Sequence, residues 1–422
     1  VRKQVLYWIL LTLIAVAGME GFSYLTLWAV PKWRGPQAIY WPVLPDSIRA
    51  FHIATVEELL NDETTYLKYD RVLGWSIKGN GTYGNYSANA DGIRANTDYD
   101  KEPPADKLRI ASFGDSFTHG DEVGNRETWQ ERMMAADDRL EVINFGVGGY
   151  GLGQAYLRYV HHGVQYKPDI VFIGYMPENI GRDVTTFTPF YLPHTGLPLS
   201  KPRFAVQDGR LKVHDNPIQS LDGYRRFLSA PDRVLAEIGA NDFYLNTSPF
   251  SLLPVYYQAG MLDLLASVRL LKMTWFKFKG RTNGRYWPLL RDLNLITMYD
   301  PDSEPFQVAV EIFRTFYRRV LEDGAIPVIV MFPDFASIET HRLTGHIIYE
   351  PLLSFFKAEG MTFVDGLDAF KERDEMSLEV LFTGEFSGHY LPVGHEMIAD
   401  LFLQHLYNGG YLQRKNLTSQ IE

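Results

Sequence analysis

Short, nearly unbroken apolar runs separated by helical patterns constrain this chain more than any other feature. Ile170-Val-Phe-Ile173 and Ile326-Pro-Val-Ile-Val-Met331 are too apolar for a sheet with one wet face, so they read as strands covered on both sides. Runs of this kind give strands at 108–113, 140–145, 169–175, 326–332 and 361–365. Helical patterns fall between them at 127–137, 151–166, 306–323 and 347–358. Strand alternating with helix builds a parallel sheet with helices on both faces, an α/β fold.

The first thirty residues set a second constraint. Arg2-Lys3-Gln4 precedes the apolar run Val5–Ala17, which continues through Phe22–Val30 with Glu20 as its one ionised interruption. About 20 apolar residues cross a bilayer, so the run is long enough to span. Basic residues ahead of it favour a cytoplasmic start and a translocated body, although Lys32 and Arg34 flank the other side. Ala15-Val16-Ala17 has the small-x-small form of a signal-peptide cleavage site. The apolar residues beyond Ala17 favour an uncleaved anchor over that alternative. Either reading places the body outside the cytoplasm, as in a single-pass protein of a bacterial cell membrane with a periplasmic domain.

Composition narrows the function. A net charge of −10 without a basic stripe argues against nucleic acid as a partner. The absence of cysteine excludes disulfides, thiolate metal sites and a cysteine nucleophile. The 25 Tyr, 26 Phe and 8 Trp offer ring faces for stacking on sugars, and large cores use such rings too. No metal or other cofactor is called for. His161-His162 lacks the i, i+4 spacing and the carboxylate partner of a metal site.

Along the chain, residues 1–30 form the anchor, 31–105 a connector and lead-in, and 106–184 the first part of the core. An insertion over 185–305 precedes the second part, 306–410, and a polar tail, 411–422. Within the insertion, residues 201–214 alternate around Asp208-Gly209, a hairpin signal. Ser251 to Lys279 is apolar and helical, with Lys272, Lys277 and Lys279 near its end. That segment reads as a packing helix or lid in preference to a membrane-facing surface.

The chemistry centres on Gly114-Asp115-Ser116-Phe117-Thr118-His119-Gly120, directly after the strand Leu108–Phe113. A serine there sits at the sheet's C-terminal edge, where open α/β sheets bind ligands. Far along the chain, Ser387-Gly388-His389-Tyr390-Leu391-Pro392 leads into a terminal helical pattern. A histidine on that loop can return over the sheet edge and take the proton from Ser116, a weak nucleophile until a base activates it.

With these two blocks, Asn144–Gly151 and Met176–Ile180 complete a set of four that resembles the SGNH (GDSL-type) hydrolase family. Leu73-Gly74-Trp75 and Asn89–Arg94 resemble the lead-in of a membrane-anchored bacterial branch associated with surface polysaccharides. The resemblance covers roughly 69–190 and 310–405. It implies a flavodoxin-like three-layer α/β/α core of about five parallel strands, here with an inserted hairpin and helical cap. It also implies Ser116 as nucleophile and His389 as base, with an oxyanion hole from the N–H groups of Ser116 and Gly149 and an asparagine side chain.

Two departures stand out. Ungapped counting from Asp169 puts the family's asparagine on Glu178, which can only accept hydrogen bonds, so Asn179 is the better donor. The family's aspartate two or three residues before the histidine is replaced by Ser387 and Phe386, which leaves Glu385 or a backbone carbonyl to orient His389. Asp115 reads as an anchor for the turn, and His395 as helix-start chemistry rather than a second base.

The expected activity is serine-dependent acyl-ester hydrolysis, as a carbohydrate O-acetyl esterase on a surface polysaccharide. Partners would then be an acylated carbohydrate and, through the first helix, a membrane. Two alternatives remain open: an O-acetyltransferase using the same serine and histidine, and a non-catalytic polysaccharide-binding or assembly protein on a degenerate scaffold.

Overall fold

The computed structural model describes residues 2–34, 43–193, 195–245, 255–282, 298–371, 375–384 and 388–414. They gather into two compact bodies. The larger comprises Glu57–Thr186, Leu199–Leu221 and Leu295–Glu422.

Its centre is a parallel sheet of β1 (Leu108–Phe113), β2 (Leu140–Asn144), β3 (Ile170–Tyr175), β4 (Ile326–Met331) and β5 (Phe363–Asp365). The order across the sheet is β5-β4-β3-β1-β2. This is the flavodoxin-like order, in which the chain crosses back over β1 between β2 and β3. A crevice therefore opens between the C-terminal ends of β1 and β3. There Phe113 pairs with Ile173 in register, and Ser112 with Asn144.

Every residue of β1 and β3 is buried, because both faces are covered. Ile110, Val142, Phe172 and Val330 share one core with Trp129 and Met133 of the helix Trp129–Ala136 and with Phe402 and Leu406 of the helix Pro392–Asn408. On the opposite face, Phe113 meets Tyr159 at 5.4 Å between ring centroids and Tyr175 meets Phe313 of the helix Glu304–Glu322, also at 5.4 Å. Each such side chain contributes about 1.5–3 kcal/mol on burial, which makes the strands' apolar runs a folding instruction. Arg109 is the charged exception within β1. Its fully buried guanidinium pairs with Glu141 and donates to the carbonyl of Tyr166.

The strand positions follow the expectation to within two residues at their ends. The helix expected over 151–166 is different. An α-helix covers Leu152–Arg158, widens into a π-type turn over Tyr159–Gly163 and tightens over Val164–Tyr166. All three windings keep a near-helical periodicity, so the apolar pattern alone reads as one helix. The hairpin forms from Arg203–Gln207 and Arg210–His214, with φ of 50° and 69° at Asp208 and Gly209. Two positive φ values in a two-residue loop are what a twisted hairpin requires.

The smaller body comprises Val1–Val56, Phe187–Pro198 and Asp222–Asn294. A helix Arg2–Arg34 begins it, long and apolar enough over Arg2–Val30 to cross a membrane. Within it Tyr257 is buried, its ring 5.1 Å from Phe227 and its hydroxyl 2.6 Å from Nδ1 of the buried His52. Of the helical segment expected over 251–279, a tight turn covers Met261–Leu264 and a helix Ala266–Thr282, while 251–254 lie outside the described residues.

Candidate active site

The chain leaves β1 at Phe113 and turns at once into the short helix Ser116–His119. Asp115 caps it, accepting from the N–H of Phe117 at 2.9 Å. Its other carboxylate oxygen accepts from the side-chain amide of Asn179 at 2.7 Å. Burial pushes the Asp115 carboxyl above its ordinary range, opposed by the charge of Arg182 and by these hydrogen bonds. Asp115 thus ties the end of β1 to the turn after β3.

Ser116 follows with its carbonyl accepting from the N–H groups of Gly120 at 2.7 Å and Asp121 at 3.0 Å. Among the described residues, neither its hydroxyl nor its own N–H has a hydrogen-bond partner. The N–H of Gly149 is likewise without one there, and Gly149 stands at φ 79°, a conformation that favours glycine. Gly146 has a different reason: a Cβ on it would come within 2.3 Å of the backbone nitrogen of His119. The loop after β2 is therefore pressed against the turn that carries Ser116.

Asn179 lies in the short turn Pro177–Gly181 just past β3, buried to 1%. Its amide donates to Asp115, and its side-chain oxygen is unpaired among the described residues. Glu178 beside it is half-buried.

His389 arrives from the other end of the chain. Its N–H donates to Thr383 Oγ1 at 3.1 Å, and its carbonyl accepts from the N–H of Thr383 at 3.1 Å. The imidazole lies 5.4 Å from the ring of Phe117, the residue next to Ser116. It acts electrostatically on both Asp115 and Asp121. The two remote blocks therefore meet at one edge of the sheet. No hydrogen bond joins Ser116 Oγ to the imidazole among the described residues, and catalytic hydrogen bonds often tighten only when substrate is bound.

Glu385, the expected orienting acid, lies outside the described residues, as do Phe386 and Ser387. The structure offers a carboxylate that the sequence reading passed over. Glu122 Oε1 stands 3.9 Å from His389 Nδ1. Glu122 has φ 74°, unusual for a residue with a side chain. Its signal in the sequence was the acidic pair Asp121-Glu122 at the end of the serine block.

Behind this edge, a buried polar network holds the loop. His119 Nδ1 is 2.5 Å from Asp121 Oδ1, and Nε2 is 2.6 Å from the Tyr66 hydroxyl. A carboxylate only accepts, which assigns the proton to Nδ1 and leaves Nε2 to accept from Tyr66. Burial keeps the His119 imidazole below its ordinary pKa, against the pull of Asp121. Burial also raises Asp121, but its contacts with His119 outweigh that and leave the carboxyl below its usual range. Arg94 closes the network, donating to the carbonyls of His119, Gly120 and Val123 and lying 4.6 Å over the Tyr86 ring. His395 is fully buried on the terminal helix, with neither ring nitrogen paired among the described residues. Burial lowers its pKa to about 3, so it stays neutral.

No family model and no curated protein matches the chain. Among solved structures it is similar to a member of the lipolytic protein G-D-S-L family from Veillonella parvula, at 12% identity and a TM-score of 0.33, covering 70% of this chain and 96% of that one. It is also similar to a catalytic mutant of an acetylxylan esterase from Geobacillus stearothermophilus, at 11% identity and a TM-score of 0.36, covering 71% and 94%. A third is an alpha/beta hydrolase enzyme from the metagenome of Lake Arreo, at 13% identity and a TM-score of 0.33, covering 74% and 97%. Likeness at this level says nothing of what the site does, which rests on its own residues.

Proposed function

We propose that the chain is a serine esterase of the SGNH type, anchored in a membrane by its first helix. It would remove O-acyl groups, acetyl in the first instance, from a surface polysaccharide outside the cytoplasm. The observation that carries the chemistry is the contact of the His389 ring with Phe117, the neighbour of a Ser116 whose hydroxyl has no partner among the described residues. The polysaccharide rests on the lead-in resemblance, and the location on the N-terminal apolar run.

In this reading Ser116 Oγ attacks the acyl carbonyl, and its proton passes to Nε2 of His389. Glu122 Oε1 faces Nδ1 at 3.9 Å, and closing that gap to hydrogen-bond distance would hold the tautomer that leaves Nε2 free to accept. The tetrahedral oxyanion is met by the N–H groups of Ser116 and Gly149 and by the second amide hydrogen of Asn179. Such donors contribute about 3–4 kcal/mol each where measured. His389 then returns the proton to the departing sugar hydroxyl, and water repeats the sequence on the acyl-serine.

The test is release of acetate from p-nitrophenyl acetate and from acetylated oligosaccharides by the wild type and by Ser116→Ala. Turnover abolished in the variant supports the esterase. Turnover retained in the variant removes Ser116 from the chemistry. Acetyl transfer to an added oligosaccharide in place of water would assign the transferase instead, and sugar binding without turnover in wild type the binding scaffold.

A further inference from the structure

A second helix of the smaller body packs against the first. Glu20 interrupts the first helix's apolar run, and its carboxylate is satisfied from within the same body. Glu20 accepts from the N–H of Ala266 at 2.7 Å, from the N–H of Ser267 at 3.3 Å and from the Ser267 hydroxyl. The helix Ala266–Thr282 packs on the N-terminal helix, with its start fixed at the level of Glu20.

Directly before that start comes the turn Met261–Leu264, and its apolar side chains point away from protein. Met261, Leu262 and Leu264 are 83%, 67% and 79% exposed, and Leu271 on the following helix is 69% exposed. Single exposed leucines are ordinary, whereas a run of them is a contact surface in search of an apolar medium. The one carboxylate of the turn is already neutralised: Asp263 pairs with Lys272 at 2.7 Å and accepts from the N–H of Gly260 at 2.8 Å. Entry into an apolar medium would therefore leave no bare charge behind.

Depth identifies the medium. A span takes about 20 residues, so one that begins near Val5 ends near Tyr24, about 6 Å of helix beyond Glu20. The docked turn then stands just inside the boundary between acyl chains and headgroups. We propose that Met261, Leu262, Leu264 and Leu271 insert into the outer leaflet of the bilayer that the first helix crosses, a monotopic contact beside the anchor. This rests on the reading of the first helix as a membrane span, and it reverses the preference for a packing helix or lid.

The chain has no cysteine, so single nitroxide labels can be placed without background. The full chain in phosphatidylcholine–phosphatidylglycerol nanodiscs is labelled at Leu262→Cys or Leu264→Cys. Leu13→Cys on the first helix and Lys212→Cys on the exposed hairpin strand are the references. Power saturation then compares collisions with oxygen and with a water-soluble nickel chelate. Positions 262 and 264 are expected to favour oxygen as Leu13 does, at about 5–10 Å below the headgroups. Nickel accessibility there equal to that at position 212 overturns the insertion. If position 13 itself is open to nickel, the anchor reading fails, and the insertion with it.

Discussion

Nδ1 of His389 stands 3.9 Å from Oε1 of Glu122, a carboxylate on the same loop as the serine. The positive φ of Glu122 costs about 1–3 kcal/mol, and such strain gathers at functional positions. Glu122→Gln keeps the shape and removes the charge. It is expected to lower kcat about 10- to 100-fold with little change in KM, less than the ~10⁴ of a fully buried triad acid because Glu122 is half exposed. Steady-state kinetics of Glu122→Gln beside Glu385→Gln decide the point. A loss confined to the second variant would return the orienting role to Glu385.

Asn179 donates one amide hydrogen to Asp115, and the proposed oxyanion hole uses the other. Asn179→Ala is expected to cut kcat about 10²- to 10³-fold, the loss typical of one oxyanion donor. Asn179→Asp should be no better, since a carboxylate cannot donate. Unchanged kcat in both would show that Asn179 serves the turn alone.

Sequence alone carried the fold because β1, β3 and β4 are covered on both faces and must be largely apolar. The glycine block after β2 was legible for a related reason: Gly146 stands where backbone meets backbone, against His119. Glu122 was not legible, because its partner lies on a loop from the far end of the chain and only folding supplies the distance. Asn179 was reached through chemistry, as the amide beside an unsuitable glutamate. Its tie to Asp115 needed coordinates. The outward face of Met261–Leu264 could not be read either, since an apolar run looks alike whether it meets protein or lipid.

The close approach of Gly146 to the serine turn gives a stability prediction. A Cβ there would stand 2.3 Å from the His119 nitrogen and 2.7 Å from its Cα, both backbone atoms with little room to yield. Gly146→Ala should destabilise the larger body by about 1–3 kcal/mol, the usual cost of overpacking. Thermal unfolding of the variant beside Gly384→Ala controls for the loss of glycine, because nothing lies within 4 Å of a Cβ at position 384 and its φ is not positive. Equal shifts in the two variants would refute steric contact as the cause.

The buried His395 gives the last prediction, for acid stability. Its imidazole is neutral in the folded chain, with a pKa lowered to about 3 by burial. In the unfolded chain it protonates near the ordinary ~6.5. The unfolded state therefore binds the extra proton first as pH falls. Stability from this group is complete above about pH 6.5 and is lost progressively down to the folded pKa. Replacement by an uncharged side chain removes that loss, and Met is flexible enough to fill the space. His395→Met should match wild type near pH 7.5, apart from packing, and gain relative to it by about 2 kcal/mol at pH 5. Denaturant unfolding at the two pH values measures the difference. Burial lowers the His119 pKa as well, which adds acid sensitivity of the same sign, so the slope should shrink without vanishing. A slope unchanged by the substitution would mean that position 395 takes up its proton without unfolding the chain.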